Sequence, residues 1–438
     1  MIGIRREDKN RWERRVPLTP ENVSVLVSGQ HLEVRVQPSP IRVFPDSAYV
    51  DAGATLAEDL SGCRLIFGVK EVPPALLVPG AAYVFFAHVA KGQEHNMPML
   101  RRLMELGCSL VDYEKITDDR KRRLIFFGRH AGWAGMIETL RAIGQRLSVT
   151  GVATPLSEVR HAYQYPDLKV AKEHLEGVGQ KIARSGLSAG RRPMVFGFSG
   201  YGNVSTGAQE VLEWLKPVEI PVADLPSVGV KTPASAAPLV KVVFHEEHLV
   251  ERREPGRPFD LQEYYDNPER YAGCFEKHLP YLDVLVNAIY WEPRYPRLVT
   301  REWARRSYLG GPAPRLKVIG DISCDIEGSI ELTLKATEPD NPCFVYLPAE
   351  DAIRDGIEGN GPVIMAVDNL PCEIPRESSQ YFSSVLREMV LPLSGADWRA
   401  DFESLDLPSH LKRAVIVHKG ELAPSYRYLQ KSLEAGSH

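Results

Sequence analysis

The stretch RPMVFGFSGYGNVSTGAQEVLEWL, residues 192–215, decides the fold. An apolar run leads into a turn carrying Gly200 and Gly202, and an amphipathic run follows, so the order is strand, tight turn, helix. The glycine pattern is G-x-G-x(4)-G. Ser205 stands where the dinucleotide fingerprint has its third glycine, and Gly207 follows two residues later. A backbone that approaches a pyrophosphate needs residues without Cβ, and a helix N-terminus offers free N–H groups and the positive end of a dipole. Gly200 and Gly202 meet that need, Ser205 and Thr206 add hydroxyls, and Gly207 relieves crowding between helix and strand. Asp224, closing VEIPVAD, stands about 20 residues on, where the fingerprint places its ribose-binding acid. The stretch reads as a dinucleotide cradle.

Toward the N-terminus, four apolar runs alternate with helix-like stretches: LEVRVQPS, CRLIFGVKEV, AAYVFFAHVA and CSLVDYEKI. Thr19 and Pro20 open one helix as N-cap and first residue, Gly107 closes another, and residues 131–149 form a long helix with small residues early. Toward the C-terminus, VEIPVADLPSV, PLVKVVF, YLDVLVNAIYW and RLKVIGDISCD read as strands, and residues 255–272 as an irregular polar excursion. From Ile364 come a strand, a Pro-broken turn and a helix. The pattern predicts an α/β chain of two Rossmann-like domains, parallel sheets flanked by helices, with the active site in the cleft between them. Residues 1–135 with 346–438 form the substrate domain, and residues 136–345 the dinucleotide-binding domain.

The 438 residues carry a formal net charge of −4, which gives no pull toward nucleic acid or an anionic membrane. No apolar run is long enough to span a bilayer. The charged start MIGIRREDKNRWERR lacks a leader's apolar core, so a cytoplasmic chain is expected. Six cysteines without C-x-x-C or metal-ligand spacing predict reduced thiols and no metal.

Four stretches concentrate polar side chains at strand ends or tight turns: ERRVPLTP with Arg15, FGVKEV with Lys70 and Glu71, FFAHVAKGQ with His88, and VDYEKI with Glu114. The carboxyl ends of parallel strands are where α/β proteins bind ligands. These blocks run in order with RREDKNRWERRVPLTP, FGRHAGWAGMI, GYGNVSTGAQ, IYWEPRYPRLVTR, DISCDIEGSIE and VDNLPCEIPRESS, from Arg5 to Ser379. The chain resembles the lysine–2-oxoglutarate reductase half of aminoadipic semialdehyde synthase. It is more distantly similar to lysine-forming saccharopine dehydrogenases and alanine dehydrogenases.

The resemblance implies reductive condensation of L-lysine with 2-oxoglutarate to saccharopine, the first step of lysine degradation by that route. The alternatives are a related reductase for another amino acid and 2-oxo acid pair, or a catalytically silent nucleotide-binding module. It also implies roles: Lys70 and His88 as acid–base pair, Arg15 as carboxylate grip, Glu71 as tuner of Lys70, and Glu114 and Arg123 as holders of the two substrates. The cofactor set is Gly200, Gly202, Asn203, Val204, Ser205, Asp224 and Asp321. Asp224 in its fingerprint role favours NADH, whereas the resemblance implies NADPH. The expectation is NADPH, with NADH as the alternative and Lys231 and Arg252 as candidate phosphate partners. The matched half ends before the saccharopine-cleaving half, which implies a separate enzyme for the second step. Self-association is left open.

Overall fold

A computed structural model describes residues 1–187, 192–228, 238–312 and 314–435. The chain forms two compact units, Met1–Phe126 with Pro375–His438, and Phe127–Ile374. It passes between them at 126/127 and 374/375, so the boundaries expected at 135/136 and 345/346 both fall inside the second unit. Packing accounts for the difference. The helix Gly128–Val149 touches the helix Asn203–Glu213 from its first turns, and the strands Cys343–Leu347 and Val363–Met365 hydrogen-bond into the second unit's sheet.

The first unit is built on an eight-stranded sheet. Its order is Glu421–Leu422, Val415–His418, Ser109–Asp112, Ala82–Phe85, Leu65–Phe67, Ile2–Ile4, Val34–Val36, Thr55–Leu56. The six strands from the N-terminal part are parallel, and the returning Val415–His418 pairs antiparallel with Ser109–Asp112. The parallel run aligns the carboxyl ends of four neighbouring strands, so Arg5 to Glu7, Gly68 to Glu71, Phe86 to His88, and Tyr113 to Glu114 follow one sheet edge. The charged start thus hides a central strand, Ile2–Ile4, whose three residues are all buried.

The second sheet also has eight strands, in the order Ala352–Asp355, Cys343–Leu347, Val363–Met365, Val318–Asp321, Val284–Asn287, Met194–Ser199, Leu239–Phe244, Val218–Glu219. The last six are parallel, and Cys343–Leu347 pairs antiparallel with both of its neighbours. Its inner strands are buried and covered by two hydrophobic cores, which is why they read as continuous apolar runs. VEIPVADLPSV is corrected here: only Val218–Glu219 is a strand, at the sheet edge. The strand beside Met194–Ser199 is Leu239–Phe244, with Ser199 opposite Phe244. The excursion of residues 255–272 holds a short helix, Leu261–Asp266, and Tyr271–Gly273 pairs antiparallel with Val250–Arg252.

Two glycines set the closest helix contact. A Cβ on Gly132 would stand 2.0 Å from the Val204 carbonyl oxygen, and one on Gly207 would stand 2.2 Å from the Arg129 carbonyl oxygen. The backbones of the two helices therefore meet, and Gly207 relieves helix–helix rather than helix–strand crowding. Overpacking a close contact costs about 1–3 kcal/mol or more. Gly132→Ala should therefore destabilise the second unit by at least that amount in denaturant unfolding. Gly202→Ala, whose Cβ meets open space at a φ of −74°, should stay within about 1 kcal/mol of the parent. Equal losses for the two would refute the packing account.

Candidate functional site

Glu71 links the polar groups of the first unit. Its Oε1 is 2.6 Å from His88 Nδ1, and its Oε2 accepts from Lys9 Nζ at 2.9 Å. Burial opposes its ionisation, but the hydrogen bonds from His88 and Lys9 outweigh burial and hold its carboxyl well below the usual range. The bond at Nδ1 orients the imidazole and leaves Nε2 for chemistry. His88 sits in the left-handed region at φ 47°, and Asn96 Nδ2 donates to the carbonyls of Ala87 and His88. The bend that ends Ala82–Phe85 is therefore fixed by a side chain.

Lys70 follows the neighbouring strand. Its backbone N–H and that of Val69 donate to Glu7 Oε2 and Oε1, at 2.9 and 2.7 Å. Burial lowers the Lys70 pKa, and the Arg15 guanidinium lowers it further. Arg15 is itself buried, with Nε and Nη2 donating to Glu13 Oε1 and Oε2 at 2.7 and 2.5 Å. Glu114 and Arg123 form an ion pair with each other. Lys9, Glu7 and Glu13 escaped sequence reasoning because no spacing marks them within a uniformly charged start. Asp112 escaped it too: fully buried at a strand end, it accepts from the Glu114 N–H at 2.9 Å. Burial raises its carboxyl to about 6, with the nearby His88 acting against burial.

In the second unit, Gly200 has a φ of 89° and Gly202 precedes the first turn of Asn203–Glu213 with no side-chain cap. The N–H groups of Asn203, Val204 and Ser205 precede the first intrahelical bond, from Thr206 N to the Gly202 carbonyl. Gly200 and Gly202 line a cavity of about 370 Å³ with Tyr201, Glu246, Tyr265 and Ile289 among its walls. An open approach to Gly202 and an uncapped helix start fit a pyrophosphate. The Ser205 hydroxyl does not join this face: it is buried and accepts from Gln209 Nε2 at 3.0 Å.

The remaining cofactor candidates are placed elsewhere. Asp224 lies in the turn Val222–Ser227 after the edge strand, away from the strand next to the cradle. Asp321 is buried beneath the strand ends, accepting from Asn287 Nδ2 at 2.8 Å and Thr333 Oγ1 at 2.6 Å; Asn287 Oδ1 in turn accepts from Ser199 Oγ at 2.9 Å. Ser199, Asn287 and Asp321 thus form a polar row across the ends of three adjacent strands. Arg252 is paired with Glu263 and lies over the Tyr271 ring. Lys231 lies outside the described residues. Glu246, two residues beyond the apolar run PLVKVVF, was not among the candidates, yet it lines the cavity. Among the described residues, no group of three or more His, Cys, Asp or Glu is placed to hold a metal ion. Nor is any helix among them long and apolar enough to cross a membrane.

Two α/β units, one with a glycine turn that leads into an uncapped helix start, define the class. Residues 3–134 match the Alanine dehydrogenase/PNT, N-terminal domain family, and residues 260–425 match its C-terminal domain family. The chain belongs to the alanine dehydrogenase/PNT family. It is similar to the alpha-aminoadipic semialdehyde synthase of Arabidopsis thaliana, with 39% identity over 98% of this chain and 41% of that protein. The mitochondrial synthase of Bos taurus is 36% identical over 100% of this chain and 48% of its own length. The chain thus spans less than half of these relatives. The saccharopine dehydrogenase (NAD(+), L-lysine-forming) of Emericella nidulans is 28% identical over 90% of this chain and 92% of that one. Among solved structures, an L-alanine dehydrogenase shares the fold at a TM-score of 0.62, with 20% identity over 98% of this chain and 99% of that one.

Asp112 gives a test of the electrostatics. Its folded pKa of about 6 lies above the unfolded value near 4, so the fold favours the protonated acid. That contribution is present below about pH 4 and is lost as pH rises through 6, at a cost on the order of 2–3 kcal/mol. Asp112→Asn keeps an acceptor for the Glu114 N–H and cannot ionise. It should raise the thermal unfolding temperature at pH 8 but not at pH 4. A shift that does not change with pH would refute the account.

Proposed function

We propose that the chain reductively condenses the ε-amine of L-lysine with the ketone of 2-oxoglutarate to give saccharopine, using a nicotinamide dinucleotide. The observation that carries this reading is the hydrogen-bonded line His88–Glu71–Lys9 beside Lys70, whose pKa is lowered, at the carboxyl ends of adjacent parallel strands. The similarity to the synthases and to a lysine-forming saccharopine dehydrogenase supports the substrate pair.

The reaction needs an amine freed of its proton, water expelled from a carbinolamine, and charge partners for three carboxylates and an ammonium. Lys70, held toward its neutral form by burial and by Arg15, takes the proton from the lysine ammonium. His88 donates to the leaving hydroxyl, with Glu71 stabilising the imidazolium from the Nδ1 side. Glu114 and Arg123 separate to receive the lysine amine end and an oxo-acid carboxylate, each exchanging one charged partner for another. Arg15, whose fork faces Glu13, acts mainly through its field on Lys70. The first unit holds the substrates. In the second, Gly200, Gly202 and the start of Asn203–Glu213 hold the dinucleotide, which supplies a hydride to the imine carbon when bound.

Oxidation of reduced cofactor with lysine and 2-oxoglutarate, against ammonia and pyruvate, tests the reading directly. Lys70→Met and His88→Gln should each reduce turnover on the order of 100-fold with little change in cofactor affinity. Near-normal turnover in both would remove the acid–base assignment. Arg15→Gln removes a cation that disfavours the Lys70 ammonium, so the Lys70 pKa rises. The acid limb of the kcat/KM profile should then move to higher pH, whereas Arg15→Lys should leave it nearer its original position. An acid limb that stays in place in Arg15→Gln would exclude Arg15 as the tuning charge.

A further inference from the structure

The block VDNLPCEIPRESS ends in Ser379, to which no role has yet fallen. Ser379 lies on the helix Pro375–Gly395, which begins where the chain re-enters the first unit, and Ser383 stands one turn further along the same face. Both serines are fully buried, and both reach the loop that carries Arg15. Ser379 Oγ accepts from the Val16 N–H at 3.0 Å, across 363 residues of sequence. Ser383 Oγ accepts from the Thr19 N–H at 2.9 Å and from Asn22 Nδ2 at 2.7 Å. The hydrogen of the Ser379 hydroxyl goes to the Pro375 carbonyl at 2.5 Å, so toward the loop this side chain can only accept.

From Arg5 to Thr19 the chain forms neither helix nor strand, yet Arg15, Val16, Leu18 and Thr19 are buried. Buried amides outside regular structure need partners from side chains or water, and the two serines supply them on either side of Pro17, which has no N–H. The loop's placement matters to Lys70 because Arg15 and Glu13 form one ion pair whose halves act on the amine with opposite sign. Arg15 lowers the Lys70 pKa and Glu13 raises it, and Arg15 has the larger effect. The field of such a pair depends on its orientation, so the excess of Arg15 over Glu13 lasts only while the loop is held. We propose that Ser379 and Ser383 are positioning residues, a clamp that holds the Arg15–Glu13 pair in the orientation Lys70 requires. The inference rests on the reading of Lys70 as a proton acceptor tuned by Arg15.

The test follows the Lys70 amine itself, by competitive labelling with acetic anhydride and mass spectrometry on the full chain without substrates. The pH at which Lys70 is half-reactive reports its protonation. Arg15→Gln should raise that midpoint by about one unit, equivalent to a tenfold smaller free-amine fraction. Ser379→Ala, which takes the acceptor from the Val16 amide, should raise it by part of that shift, and Ser379→Thr, which keeps the hydroxyl, should return it toward the parent. Ser379→Ala combined with Arg15→Gln should lie no higher than Arg15→Gln alone. A parent-like midpoint in folded Ser379→Ala overturns the proposal, and so do shifts that add in the double variant. Should Ser379→Ala fail to fold, Ser383→Ala, which frees the Thr19 amide, takes its place with the same outcomes. An unmoved midpoint in Arg15→Gln refutes the tuning role of Arg15, and the clamp's function falls with it. The expected labelling shifts without turnover of lysine and 2-oxoglutarate support the clamp and refute the substrate assignment.

Discussion

The contact between Gly132 and Gly207 is the constraint on which the second unit's site depends. Two helices meet there backbone to backbone, at distances that leave no room for a single methyl group. The helix Asn203–Glu213 has its N-terminus at the cradle, so whatever fixes that helix also fixes where its free N–H groups emerge. The odd spacing of the glycines follows. In the ordinary fingerprint the third glycine lets helix and strand approach; here the long helix Gly128–Val149 presses on the cradle helix instead, and the glycine stands where that pressure falls. Ser205, freed from the packing role, turns inward to Gln209.

Both sheets place the candidate residues at the carboxyl ends of parallel strands, but they stabilise those ends differently. In the second unit the row Ser199, Asn287 and Asp321 ties three strand ends together by neutral and charged hydrogen bonds below the surface. In the first, Glu7 grips the Val69 and Lys70 amides from the neighbouring strand end, and Asn96 grips the carbonyls around His88. Burial raises Glu7 to about 7 against the Arg5 guanidinium, so this grip is made by a carboxyl that titrates near neutrality. The candidate residues stand on frames built by other polar groups.

The class of fold was legible because its signals are local: apolar runs, N-caps such as Thr19, and the glycine turn. Lys70, Glu71 and His88 were legible for the same reason, since each follows such a run, and the structure brings all three to one edge. What sequence could not show was lateral order. Nothing in VEIPVAD says that its strand lies at the sheet edge, so Asp224 was assigned to the place beside the first strand that Leu239–Phe244 holds. The short strand Ile2–Ile4 was invisible among charges because three residues carry no periodicity. The pairing of Arg15 with Glu13 was equally hidden, because alternate residues in a loop have no required relation.

The first unit is interrupted by the whole of the second. Val415 pairs with Val111, so the strand Ser109–Asp112 waits some three hundred residues for its outer neighbour. During synthesis on the ribosome the inserted unit emerges complete while the unit around it still has an open edge, and open strand edges invite pairing with other chains. The order of emergence therefore favours maturation from the inside out: the cradle closes first, and the frame that holds Lys70 and His88 is sealed only as the last strands arrive.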